Sequence, residues 1–105
     1  MIIKESNIAQ RIREDIRSID HTAQVILFGS RARGDAKKDS DWDVLILTDS
    51  DDISMTEDLF RDRLFDLELE TGEVISLFVY NKKDWKTKHK VTPLYKNIQK
   101  EGVQL

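Results

Sequence analysis

Two short apolar runs, Val25-Ile26-Leu27-Phe28 and Val44-Leu45-Ile46-Leu47, constrain this chain more than any other feature. They are the longest wholly apolar stretches, far short of the ~20 residues needed to span a bilayer. The first is β-branched and stops at Gly29-Ser30. The second extends back to Trp42 and closes in the acidic run Asp49-Ser50-Asp51-Asp52. Both read as buried strands. A chain of 105 residues is expected to form one domain, residues 1–105. At that size roughly two-thirds of the unfolded surface is buried, enough for one ordinary core. No cysteine is present, which excludes disulfides, Cys-ligated zinc, iron–sulfur clusters and thiol catalysis. The N-terminus carries no signal-peptide pattern, so a cytoplasmic location is expected. Seventeen Lys+Arg against 20 Asp+Glu give a net charge of −3. Such a balance gives no reason to expect nucleic acid as a partner.

Around these strands the periodicity is helical. Ile8, Ile12, Ile16 and Ile19 form one stripe, with Ser6 or Asn7 able to cap its start. Ser54-Met55-Thr56-Glu57 fits a capping box, predicting a helix there with Met55, Leu59, Phe60, Leu64 and Leu67 on one apolar face. Phe65, Leu67 and Leu69 alternate with acidic residues, which also suits a strand. The longer stripe and Gly72 as a stop favour helix. Residues 74–80 read as a third strand. Residues 82–90 are polar apart from Trp85. Thr92-Pro93 then predicts a helix ended by Gly102, with a tail strand over residues 103–105. The order is that of a small α/β (α+β) layer structure.

The chemistry concentrates between the two strands, where three features coincide. Gly29-Ser30 is a turn that can offer backbone N–H groups and a hydroxyl to an anion, with the positive end of a short following helix directed the same way. Arg31 and Arg33 flank it, and guanidinium groups favour phosphate; Arg31 is the firmer candidate, because Arg33 has Asp35 and Asp39 as competing partners. Asp41 and Asp43 stand two apart at a strand start, so both project from one face and make a hard-oxygen site suited to Mg²⁺. Turn, cations and acidic pair together are what phosphoryl or nucleotidyl transfer requires.

In Gly29-Ser30-Arg31-Ala32-Arg33-Gly34, the spacer 35–39 and Ser40-Asp41-Trp42-Asp43-Val44-Leu45-Ile46, the sequence resembles the polymerase β-like nucleotidyltransferase superfamily. It looks most like the minimal nucleotidyltransferases that partner small helical HEPN-type proteins. That resemblance implies a small mixed sheet flanked by helices. It implies that Gly29 and Ser30 hold a nucleoside triphosphate, with ATP the expected nucleotide, and that Asp41 and Asp43 ligate Mg²⁺ or Mn²⁺. The activity implied is transfer of a nucleoside monophosphate to a hydroxyl of a protein or small molecule. The alternative is a catalytically weakened, antitoxin-like nucleotide-binding subunit. A homo-oligomer is left open.

One departure separates the two readings. The family usually has a third carboxylate on the next core strand, and the aligned residue here is Ser76. Losing a general base typically costs ~10²–10⁴ in rate. Glu70 and Glu73 are the nearest acidic alternatives, at poorer spacing. The remaining polar residues have plainer readings. Lys37 and Lys38 belong to a solvated loop, and Asp49, Asp51 and Asp52 are charges at a helix start. His21 and His89 have no partner pattern. Trp42 should face away from the two aspartates it separates, and Tyr80, Trp85 and Tyr95 should pack.

Overall fold

The structure is a computed structural model that describes residues 3–105, with side chains from residue 7 onward. Its elements run α1 (Ile3–Ile19), β1 (Gln24–Phe28), α2 (Ser30–Arg33), β2 (Trp42–Thr48), α3 (Ile53–Thr71), β3 (Ile75–Asn81), α4 (Lys82–Thr87), α5 (Pro93–Glu101) and β4 (Val103–Gln104). The sheet order is β3-β2-β1-β4. β1 pairs antiparallel with β2 and β4, while β2 and β3 are parallel, so the sheet is mixed. The parallel pair needs a crossover, and α3 provides it. No helix among the described residues is long and apolar enough to cross a membrane.

β2 is apolar from Val44 to Leu47 because it lies centrally and both its faces are covered there. Trp42, Val44 and Ile46 point to the face under α1 and α3, where Ile8, Ile12 and Ile16 meet Phe60, Leu64 and Leu67. Leu45 and Leu47 point to the opposite face, where Phe28, Trp85 from α4 and Ile98 from α5 cover them. The period of two puts Asp43 on that second face, the one roofed by α4 and α5.

Several ends differ from the sequence reading. α1 already runs from Ile3, so Ser6 and Asn7 lie inside it instead of capping it. α3 is capped by Asp52, whose carboxylate accepts the Met55 N–H at 3.1 Å, so the Ser54 capping box is not used. Met55 and Leu59 are exposed and do not join the apolar face formed by Phe60, Leu64 and Leu67. The polar segment after β3 contains α4: the Asn81 side chain accepts N–H groups from Lys83 and Asp84, and Trp85 buries its ring. Gly72 ends α3 in the left-handed region and Thr92 caps α5, as the sequence indicates. Replacing the α3 cap, Asp52→Ala, should cost about 1 kcal/mol in urea unfolding, and Ser54→Ala should change little. A larger loss from Ser54→Ala would reinstate the capping box.

Candidate active site

β1 delivers the chain to Gly29 beside Asp43, since Phe28, the residue before the glycine, pairs with Asp43 in the antiparallel ladder. Gly29 has φ 74° and ψ −157°. A Cβ built there would lie 2.3 Å from Asp43 Oδ2. The left-handed backbone conformation favours glycine, and any larger residue would also have to push the Asp43 carboxylate aside. The turn is closed by the Ala32 and Arg33 N–H groups on the Gly29 carbonyl, at 3.1 and 3.0 Å. Ser30 opens α2 immediately beside it, half-buried.

The parallel ladder pairs Asp43 with Ser76. The Ser76 hydroxyl donates to Asp41 Oδ2 at 3.1 Å. Asp41, Asp43 and Ser76 thus share one edge, next to the Gly29 turn. Burial pushes the Asp43 carboxyl above the ordinary carboxylate range. The Asp41 charge adds to this, Arg33 opposes it, and Glu101 raises it further. Two carboxylates and a hydroxyl are hard oxygen donors. Mg²⁺ commonly takes one or two carboxylates and completes its shell with water and phosphate oxygens, so this donor set suits it. Among the described residues no group of three His, Cys, Asp or Glu side chains forms a ready metal-holding cluster.

The two arginines have different fates. Arg31 is buried: its Nη2 donates to the Ser40 carbonyl at 2.9 Å and to Glu73 Oε2 at 3.3 Å, and its guanidinium lies 4.9 Å from the Trp42 ring centroid. It pins the loop that carries Asp41 to the start of β2, a structural role beside its expected one as a phosphate ligand. Arg33 is exposed and stands on the turn side. Its Nε donates to Asp35 at 3.1 Å and its Nη1 to Glu101 at 3.1 Å. Glu73 also accepts the Trp42 indole N–H at 3.2 Å, and Glu70 pairs with Arg11. Both acidic alternatives to Ser76 are thereby engaged elsewhere.

Glu101, at the end of α5, is the residue that sequence reasoning missed. Its Oε1 accepts the Gly29 N–H at 3.2 Å. No local pattern points to it, because only the return of the tail to β1 brings it to the turn. Trp42 is fully buried on the α1–α3 side, away from both aspartates. Tyr80, Trp85 and Tyr95 pack together with His89, whose ring lies 4.5 Å from that of Tyr80. A groove of about 260 Å³, lined by Leu64, Phe65, Ile75 and Leu77 among others, opens between α3 and β3 on the other face of the sheet and shares no residue with the acidic edge.

Comparison with known proteins agrees with this arrangement. No curated protein matches the sequence. The model of the nucleotidyltransferase domain family matches residues 9–104, and so takes in the turn, the acidic pair, the β3 serine and the returning tail. With the glycine turn pressed against a paired-carboxylate edge on a mixed sheet flanked by helices, the chain belongs to the nucleotidyltransferase domain family of the polymerase β-like superfamily.

Proposed function

We propose that this chain binds an Mg²⁺-complexed nucleoside triphosphate, ATP foremost, and transfers the nucleoside monophosphate to a hydroxyl of a protein or small molecule. The observation that carries the reading is the close approach of the Gly29 backbone to the Asp43 carboxylate. A phosphate seated on the turn lies beside the carboxylate that would share its cation. Asp41 and Asp43 would hold Mg²⁺, which when bound neutralises phosphate charge and polarises the phosphorus toward attack. Gly29 N–H and the Ser30 hydroxyl would donate to phosphate oxygens, and Arg33 would supply positive charge from the exposed side. The acceptor oxygen attacks the α-phosphorus, pyrophosphate leaves, and the acceptor proton passes to water, because a serine hydroxyl at position 76 is too weak a base to take it.

Calorimetric titration of Mg²⁺-ATP, followed by transfer of α-labelled ATP to candidate acceptors, tests this. Arg33→Ala should weaken Mg²⁺-ATP binding, because it removes a charged donor from the turn side. Arg31→Ala should instead lower the melting temperature, since it undoes a buried contact. Absence of Mg²⁺-ATP binding by the wild-type chain would overturn the reading.

A second reading, a nucleotide-binding subunit of a small helical HEPN-type partner, is favoured by α3. Met55, Leu59, Phe65 and Leu69 are 57, 47, 55 and 68% exposed, on the side of the helix turned away from Phe60, Leu64 and Leu67. Four large apolar side chains left uncovered on one side of a helix, interleaved with Asp58, Asp62 and Asp66, suit a partner surface that is both apolar and basic. The transfer assay separates the readings: binding without transfer, with or without the partner, favours the subunit.

A further inference from the structure

The Glu101 carboxylate is held by a backbone amide and a guanidinium. Its Oε1 accepts from Gly29 N–H at 3.2 Å, and its Oε2 accepts from Arg33 Nη1 at 3.1 Å. These are two of the donors assigned above to phosphate. We propose that Glu101 is an internal competitor at the phosphate turn, a carboxylate that an incoming triphosphate must displace and that thereby sets how tightly the site takes nucleotide. The inference rests on the nucleotide reading of the turn.

The competition follows from donor count. The Gly29 amide has one hydrogen, already engaged, and a phosphate oxygen seated there replaces the carboxylate. Glu101 also cancels charge that Arg33 would otherwise offer. It is held at close range, with its side chain only 23% exposed. The backbone that carries it is fixed. Gly102 donates to the Ile98 carbonyl at 2.8 Å, and a Cβ at Gly102 would lie 3.0 Å from Ile26. Val103 and Gln104 then pair with Leu27 and Ile26 of β1. The carboxylate therefore leaves the turn by side-chain rotation, with α5 and β4 staying in place. A merely anchoring contact would behave differently, because its loss would weaken the fold and bring no gain in anion affinity.

Titration of inorganic tripolyphosphate and of Mg²⁺-ATP into wild type, Glu101→Gln and Glu101→Asp tests the inference, with the Gly29 amide resonance followed by NMR. Glu101→Gln keeps the length and an acceptor oxygen but loses the charge. Glu101→Asp keeps the charge but draws it back by one methylene, and serves if the glutamine variant folds poorly. Glu101→Gln should bind both probes about five- to tenfold more tightly, the difference between a charge-assisted and a neutral hydrogen bond, and Glu101→Asp should also bind both more tightly, because its shorter side chain no longer reaches the Gly29 amide. The Gly29 amide should shift on ligand addition in all three proteins. Equal or weaker binding in both variants, with wild type binding normally, would overturn the inference and leave the nucleotide reading standing. No binding by any of the three would overturn the nucleotide reading and the inference with it.

Discussion

Asp41→Asn combined with Asp43→Asn should abolish nucleotidyl transfer, by a factor of about 10²–10⁴, while the fold survives. Several kcal/mol of charge stabilisation by a bound cation corresponds to that factor. The fold survives because neither side chain is part of the core: Asp41 is exposed, and Asp43 sits at the rim of the face roofed by α4 and α5. Without metal the acidic pair is a cost. Burial, Asp41 and Glu101 raise the Asp43 carboxyl above its ordinary value of 3.8, against the pull of Arg33. The folded chain therefore holds that proton more tightly than the unfolded chain does. Ionisation of Asp43 then removes stability as pH rises from its ordinary value through its raised one, and the loss stays in place at neutral pH. Asp43→Asn should accordingly melt above wild type near neutral pH in chelator, with the gap closing in acid below the ordinary carboxylate value. Mg²⁺ should raise the melting temperature of wild type and leave the double variant unmoved. A wild type that melts above Asp43→Asn at neutral pH without metal would show that the pair is not strained by its own charge.

The elements that could be read from sequence are those whose cause is local. β2 announced itself because a central strand must be apolar where both its faces are covered. The family resemblance aligns Ser76 with the third carboxylate, and the ladder pairs Ser76 with Asp43. The double signal in α3 has a physical origin: Leu67 points inward while Phe65 and Leu69 point outward, so a helix apolar on two sides mimics a strand's alternation. What could not be read depends on groups far apart in the chain. The sequence pattern favours Arg31 over Arg33 at the turn, and it does not show that Arg31 packs over Trp42 and against Glu73. Gly29 reads as a turn glycine, as its positive φ confirms, but its close approach to the Asp43 carboxylate is visible only in the fold. Glu101 reaches the turn from 72 positions away, where no spacing rule operates. α4 is short and polar. Its two signals, a capping Asn81 and a buried Trp85, were visible but too sparse to form a stripe.

Ser76→Asp should restore the carboxylate that the family pattern places on this strand, and it should do so at the right edge. Ser76 is the cross-strand partner of Asp43, and its hydroxyl lies 3.1 Å from Asp41 Oδ2. An aspartate there brings a third negative charge beside two others. In chelator it should lower the melting temperature, since like charges at this range repel and Asp43 is already raised. With Mn²⁺ or Mg²⁺ the sign should reverse, because three carboxylates bind a divalent cation more tightly than two. Transfer should rise by up to about 10²–10⁴ where deprotonation of the acceptor limits the rate. Recruitment of another base is disfavoured by position: Glu73 is held by Arg31 and Trp42, and Glu70 by Arg11. Glu70→Gln should therefore leave transfer as it is. Glu73→Gln should act through stability, because it removes the charged partner of the buried Arg31. Melting curves with and without Mn²⁺, paired with the transfer assay, decide the matter. If Ser76→Asp neither tightens Mn²⁺ binding nor raises transfer, the Asp41–Asp43 pair is the whole of the acidic machinery and the serine is its settled partner. If it does both, the wild-type chain is a nucleotide-binding domain held one side chain short of an efficient transferase.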